Sequence, residues 1–322
     1  MSGLRIGRRG LVLGAAAAAV QACKKSDPKA ESTHAYAALN EASAAEPPST
    51  IDGGASPARV VEWSFSSDAS EATRAAVVLP ASRPGERFPV LVALHGRGEA
   101  RKGPELGALG WPRDYALVRA IRRLGAPPLT SEDFEGFVEK KRLDLHNARL
   151  ATAPYRGLVV VCPYLPDLEL KSPLALRDYG DFVKSVLLPR VRRELPVVDK
   201  AEATGIDGVS LGGAVALRVG LESPQTFGMV GSLQAAIDDP QIPELVEALR
   251  LARVARPGLK LRLLTSDKDY FRRVVTATSQ AMRSAGLDHE YLLVPGPHDY
   301  PFNRGPGALE MLLWHEAGLA RS

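Results

Sequence analysis

The sequence predicts an α/β fold with a doubly wound, mostly parallel sheet, and three observations point to it. Short, almost wholly apolar runs recur, as in Phe88-Pro89-Val90-Leu91-Val92-Ala93-Leu94 and Leu158-Val159-Val160-Val161-Cys162, and such runs fit strands buried on both faces. Stretches of helical spacing separate the later runs, and strands that alternate with helices argue for parallel crossovers. Ala203-Thr204-Gly205-Ile206 leads through Gly208-Val209-Ser210-Leu211-Gly212 into Gly213-Ala214-Val215-Ala216-Leu217, which reads as strand, tight turn and helix.

In chain order, strands are expected near Arg59–Phe65, Arg74–Leu79 and Phe88–Leu94, then near Leu158–Cys162, Ala203–Gly208, Gly228–Gln234, Lys260–Thr265 and Glu290–Val294. A helical insertion occupies about 98–155. It carries Trp111, Tyr115, a helix with Arg119, Arg122 and Arg123, and a charged helix from about Ser131 to Arg149. A helix from about Leu174 places Tyr179, Phe182, Val183, Val186 and Leu187 at core spacing, and Pro189 should bend or end it.

Ahead of the fold, residues 1–22 read as an export signal. Arg8-Arg9 precedes an alanine-rich apolar run from Leu11 to Val20 that is short for a bilayer span, and Val20-Gln21-Ala22-Cys23 is similar to a lipoprotein processing site. Cys23 would then be the lipid-bearing first residue, although Gln21 departs from the usual small residue. The Ala-, Ser-, Pro- and Glu-rich segment 23–57 reads as a flexible tether, leaving 58–322 as one catalytic domain. The expected location is the cell envelope, on a membrane anchor.

Composition narrows the function classes. The 322 residues are 45% hydrophobic and 24% charged, enough to bury one large α/β core. The net charge of +4 comes with no basic stripe interleaved with aromatics, so nucleic-acid binding is not indicated. No His, Cys and Asp cluster has metal-ligand spacing. Of the two cysteines, Cys162 ends a strand-like run and reads as a small buried apolar residue.

The turn at Ser210 carries the chemistry. Glycines on both sides permit a strained serine at the apex, with its hydroxyl exposed at a helix N-terminus where N–H groups favour developing negative charge. A nucleophilic serine needs a base. Among the six histidines, His298 follows the run Tyr291-Leu292-Leu293-Val294 and the loop Pro295-Gly296-Pro297, which places it at a C-terminal strand end. His34 lies in the low-complexity segment, His146 and His315 fall in helical patterns, and His289 precedes its strand, so these read as surface or packing residues. The orienting acid should stand between the two, after Leu259–Thr265. Asp269 is the first choice and Asp267 the reserve, and either also fits as a cap for a helix beginning near Phe271. After Leu94 comes His95-Gly96-Arg97-Gly98, whose glycines let a backbone N–H turn inward. The N–H groups of Arg97 and Leu211 are the candidate oxyanion donors, and His95 is expected to orient the loop. Residues leaving that strand should line one wall of the site, so His95, Gly96, Trp111 and Tyr115 are candidate substrate contacts. Arg97, Arg101 or Lys102 is a candidate partner for an anionic or polyhydroxylated acyl group.

These residues resemble the α/β-hydrolase superfamily, specifically the esterase group that includes esterase D and enterochelin or feruloyl esterase-like proteins. The resemblance rests on His95-Gly96 after a strand, Asp178-Tyr179 opening a helix that runs to Leu187-Leu188-Pro189, Val198-Asp199 through Gly208-Val209-Ser210-Leu211-Gly212-Gly213, and Pro295-Gly296-Pro297-His298-Asp299-Tyr300. It spans about Arg74 to Glu316, and the order serine, acid, histidine is the superfamily's. It implies the α/β-hydrolase fold and hydrolysis of a carboxylic ester through an acyl-serine, with no metal or organic cofactor. Arg97-Gly98-Glu99 departs from the pattern by being charged. Peptide cleavage, acyl transfer to an alcohol, and an inactive lipid-anchored binding protein stay open as alternatives. The sequence leaves oligomeric state undetermined.

Overall fold

The computed structural model describes residues 58–66, 72–170 and 172–321; the predicted leader and tether, with Cys23 and His34, lie outside the described residues. Eight strands form one sheet: β1 (Ala58–Ser64), β2 (Arg74–Pro80), β3 (Val90–Leu94), β4 (Val159–Pro163), β5 (Thr204–Gly208), β6 (Met229–Leu233), β7 (Lys260–Lys268) and β8 (Glu290–Pro297). Their spatial order is β1-β2-β4-β3-β5-β6-β7-β8. β1 and β2 pair antiparallel, as do β2 and β4, and every later pairing is parallel.

The helices are α1 (Arg97–Ala100), α2 (Gly103–Gly107), α3 (Leu117–Leu124), α4 (Lys140–Thr152), α5 (Pro173–Phe182), α6 (Leu188–Glu194), α7 (Leu211–Glu222), α8 (Ile242–Ala255), α9 (Arg272–Ser284) and α10 (Ala308–Gly318). They cover both faces of the sheet, which is why the central strands carry no polar alternation. Val90, Val92, Val159, Val161 and Ile206 share one core with α5, α7, α8 and α9. Leu91, Ala93, Val160 and Cys162 share the other with α3, α4 and α10. Cys162 is a free thiol in that second core, and burial pushes its pKa up.

Two expected elements are corrected, and a third is narrowed. Of the bend or the end expected at Pro189, the end does not occur. A wide π-type turn at Val183–Leu187 opens the spiral just before the proline, where the missing N–H and the ring would break a regular ladder, and α6 runs on to Glu194. The charged helix expected from Ser131 begins only at Lys140, because Glu135 (φ 52°) and Gly136 (φ 79°) turn the chain left-handed and Glu139 is extended. Pro295-Gly296-Pro297 is strand rather than loop. β8 is the sheet's last strand, where a missing N–H costs no ladder bond on the open side, and a bulge between Ser266 and Lys268 lets Lys268 face Pro297.

An ion network lies inside the sheet. Arg262 of β7 is fully buried, donates to the Glu310 carbonyl at 3.1 Å, stands 3.8 Å from the Asp207 carboxylate and lies over the Trp314 ring. His315 Nε2 is 3.0 Å from the same carboxylate. Gly231 makes the room, since a Cβ there would sit 1.9 Å from Asp207 Oδ2. Beyond Arg262, the Glu310 carboxylate accepts from Arg142 at 2.8 Å and pairs with His146 at 2.8 Å. Burial opposes its charge, but those two partners win and draw its pKa down to about 2. His146 and His315, read from sequence as surface or packing residues, are therefore buried members of this network.

Candidate active site

The turn after β5 is tight because the surrounding backbone leaves no space for side chains. A Cβ on Gly208 would meet Gly212 at 2.5 Å, and one on Gly212 would meet the His95 and Leu94 carbonyl oxygens at 2.5 Å. Between them Ser210 takes φ 57° and ψ −116°, a conformation that costs a non-glycine residue on the order of 1–3 kcal/mol. The fold holds it there by backbone bonds. Ser210 N–H donates to the Leu233 carbonyl at 2.9 Å, and its own carbonyl accepts from Ala236 at 3.0 Å. Leu211 is the first residue of α7, whose first-turn N–H groups lack intrahelical acceptors. Ser210 is 8% exposed.

His298 leaves the end of β8, two strands beyond β6. Its Nδ1 is 2.7 Å from Asp269 Oδ1. Donation from Nδ1 to the carboxylate leaves Nε2 as the ring's free base. Asp269 is itself fixed, since Oδ2 accepts from Thr265 Oγ1 at 2.6 Å and Oδ1 from Phe271 N–H at 3.0 Å. Tyr270 and Phe271 flank the imidazole at ring distances of 5.2 and 5.5 Å. Asp267 is exposed and faces elsewhere. Its Oδ1 accepts from Gly296 N–H at 2.8 Å and holds the turn (φ 130°) that leads to His298. The structure thus brings Asp269, and not Asp267, to the histidine.

Gln234, left-handed at φ 46°, joins three strand ends: its Nε2 donates to Ser266 Oγ at 2.6 Å and to the Pro297 carbonyl at 2.8 Å. Sequence reasoning missed Gln234 and Thr265, since an amide or hydroxyl at a strand end carries no motif.

The loop after β3 lies against the serine. A Cβ on Gly96 would come within 3.7 Å of Ser210 Cβ. His95 is buried and bonded at both nitrogens, with Nδ1 2.9 Å from the Gly96 carbonyl and Nε2 accepting from Leu165 N–H at 2.9 Å. Burial drives its pKa down. It acts as a neutral brace between β3 and the chain after β4.

Three expected substrate contacts are corrected by burial, and His95, with both ring nitrogens bonded within the protein, is the first. Trp111 is fully enclosed, donating its indole N–H to the Leu94 carbonyl at 2.9 Å. Tyr115 is 2% exposed and accepts from Gly96 N–H at 3.2 Å. Both support the loop from beneath. The basic cluster is likewise occupied by carboxylates: Arg97 pairs with Asp167 at 2.7 Å, Arg101 with the same residue at 3.6 Å, and Lys102 with Asp114 at 2.9 Å. These cations are committed to the protein's own acids.

Among the described residues, no group of three or more His, Cys, Asp or Glu side chains could hold a metal ion, and no helix is long and apolar enough to cross a membrane. What the arrangement offers is a strained serine, a histidine with one nitrogen bonded to a fixed carboxylate, and backbone N–H groups beside the serine.

Comparisons with known proteins agree with this architecture. Residues 169–300 match the model of a family described as "Putative esterase", a stretch that holds Ser210, Asp269 and His298. The chain is 35% identical over 91 residues to the iron(III) enterobactin esterase of Escherichia coli O6:H1; this match covers 27% of this chain and 23% of that protein. The solved structure of a ferulic acid esterase superposes with a TM-score of 0.61 at 16% identity, covering 82% of this chain and 99% of the other. S-formylglutathione hydrolase from Staphylococcus aureus gives 0.55 at 14% identity over 81% and 97%. The enterobactin esterase of Shigella flexneri gives 0.50 at 20% over 80% and 58%.

Proposed function

We propose that this chain, an α/β-hydrolase whose residues 169–300 match the esterase family, is a serine hydrolase that cleaves carboxylic esters of small molecules through an acyl-serine intermediate. The Asp269–His298 bond at 2.7 Å carries the reading, because it orders an imidazole with Nε2 free on the sheet edge that also presents the strained Ser210. Ser210 Oγ attacks the ester carbonyl as His298 Nε2 takes its proton, and the Asp269 carboxylate stabilises the imidazolium. The N–H groups of Leu211 and Arg97 hold the oxyanion. His298 then returns the proton to the departing alcohol. Water attacks the acyl-serine by the same steps and releases the acid.

No cofactor enters this scheme. Export and anchoring belong to the same proposal: residues 1–22 act as the signal, and Cys23 carries the lipid. The support is the Arg8-Arg9 pair, the apolar run and the cysteine after it. Mass spectrometry of the N-terminal peptide should find an acylated Cys23, and Cys23→Ser should release the protein from membranes. An unmodified, uncleaved N-terminus overturns this part alone.

The catalytic reading is tested with a fluorophosphonate probe on the full chain, Ser210→Ala and His298→Ala, followed by p-nitrophenyl esters of graded chain length. Labelling of the wild type, lost in both variants, is expected. A folded wild type that neither labels nor hydrolyses any of the esters overturns the proposal.

A further inference from the structure

Glu99, in the charged segment Arg97-Gly98-Glu99, is the centre of a buried polar cluster whose side chains the mechanism above does not use. Glu99 is 1% exposed. Its Oε2 is bonded to Tyr115 Oη and its Oε1 to Tyr300 Oη at 2.5 Å. Lys102 Nζ stands 3.5 Å from Oε1, 3.2 Å from Tyr300 Oη and 2.9 Å from Asp114. Gly107 and Gly110 let the chain close over the acid, since a Cβ on Gly110 would sit 2.7 Å from Glu99 Cγ.

Gly96 N–H can only donate, and both tyrosine hydroxyls give their protons to the Glu99 carboxyl group. Tyr115 Oη therefore takes the Gly96 proton on a lone pair and gives its own proton to the carboxylate. On the other limb Lys102 donates to Tyr300, and Tyr300 donates to Glu99. Burial and the Glu99 charge hold both phenols above the ordinary tyrosine range, so both stay protonated donors. Burial works against the Lys102 ammonium, but the Asp114 bond and the Glu99 charge outweigh it and keep it cationic. A cation thus offsets the buried acid that stands, through Tyr115, behind the Gly96 peptide.

We infer that Glu99, through Tyr115 and Tyr300, is the positioning residue of the oxyanion loop. Tyr115 engages the Gly96 N–H, which commits that donor to the network and holds the 95–96 peptide, while His95 Nδ1 and the Ala100 N–H hold the carbonyl of the next peptide, the one that carries the Arg97 N–H. Tyr300 lies two residues after His298. The same carboxylate therefore ties the loop after β3 to the segment that carries the base after β8. A backbone donor that must sit near 3 Å from a developing charge gains from being braced on both sides, and one lost oxyanion donor costs about 100- to 1000-fold in rate.

This inference rests on the esterase reading and is tested in the full chain with Tyr115→Phe, Glu99→Gln and Tyr300→Phe. Active sites are counted by fluorophosphonate stoichiometry, and p-nitrophenyl acetate kinetics are expressed per labelled serine. Tyr115→Phe and Glu99→Gln should each lower kcat about 10- to 100-fold with KM held within about twofold. Tyr300→Phe removes one hydroxyl from a partly exposed ring and should lower kcat about 3- to 10-fold, so it carries the test if a buried variant does not fold. A trifluoromethyl ketone, whose serine adduct bears the same oxyanion, should lose affinity by the factor that kcat/KM loses. Mere loosening of the fold would instead lower the labelled fraction and leave the rate per labelled serine intact. Unchanged kcat per labelled serine, or a rise in KM alone, overturns the inference while the esterase reading stands. A wild type that neither labels nor hydrolyses overturns both.

Discussion

Two histidine–aspartate pairs stand in this molecule with nearly the same bond, His298–Asp269 at 2.7 Å and His315–Asp207 at 3.0 Å. The first lies at the C-terminal edge of the sheet, after β7 and β8. The second lies inside the sheet, wholly buried, with Arg262 against its carboxylate. Asp207 is even the nearer of the two acids to Ser210 in sequence. On the proposed reading, the difference teaches that location separates a reactive pair from a structural one. At the edge, the histidine nitrogen facing away from the acid is the one that takes the Ser210 proton in the proposed mechanism. In the interior, both pair members are charged or polar groups that the fold must satisfy, and removing one strands the other.

Exchanging the two histidines gives the largest expected contrast. His298→Ala should cut the rate per folded molecule by about 10,000-fold or more and cost less stability than His315→Ala, because the buried Asp269 keeps Thr265 and Phe271 as donors. His315→Ala should keep kcat within about threefold and lose about 3 kcal/mol of stability in urea unfolding. If the two variants behaved alike in either assay, the contrast between the pairs would be lost.

The acids sharpen it next. Asp269→Asn should lower kcat about 1000- to 10,000-fold, whereas Asp267→Asn, which can still accept from Gly296, should stay within about threefold. The reverse ranking would move the catalytic acid to Asp267.

Glu310 tests the interior network by pH. Its folded pKa, about 2, lies below the ordinary value of 4.5, so its stabilisation is present above pH 4.5 and is lost as pH falls toward 2. Urea midpoints should fall across that window in the wild type, and Glu310→Gln should lack that part of the slope and be about 3 kcal/mol less stable at pH 7. A slope unchanged by Glu310→Gln would remove Glu310 as its source.

The smallest effect belongs to the buried neutral histidines. Burial lowers the pKa of His95 and of His315, so the unfolded chain takes up protons that the native chain refuses. Their stabilisation is full above about pH 6.5 and declines as pH falls below it. His95→Asn should flatten part of that decline, read from unfolding midpoints between pH 7 and 5.

Much of this architecture was legible in the chain because the physics is local. β3 and β4 are buried on both faces and so read as unbroken apolar runs. The glycines around Ser210 mark a turn whose backbone admits little else. Legibility failed where distant residues decide. Asp267 lies near the end of β7 and Asp269 just beyond it, and it is the pairing of β7 with β8, not the local sequence, that brings one of them to His298. Trp111 and Tyr115 follow the oxyanion strand as a wall residue would, yet the chain folds beneath the loop and buries them. Glu99, Arg262 and Glu310 look like surface charges in sequence. Each has a partner far along the chain, Tyr300, Asp207 and Arg142 in turn, and those distant contacts are not written in the local sequence.

The prolines of β8 have a bearing on how this protein behaves at high concentration. An exposed sheet edge is a template on which a strand from a second molecule can add, and growth of that kind leads to insoluble assemblies. Here the same edge carries the histidine, so such templating would occlude the active site as well as deplete the soluble protein. Pro295 and Pro297 offer no N–H to an incoming strand. The last stretch before His298 therefore gives an incoming strand fewer donors to pair with than a proline-free edge would.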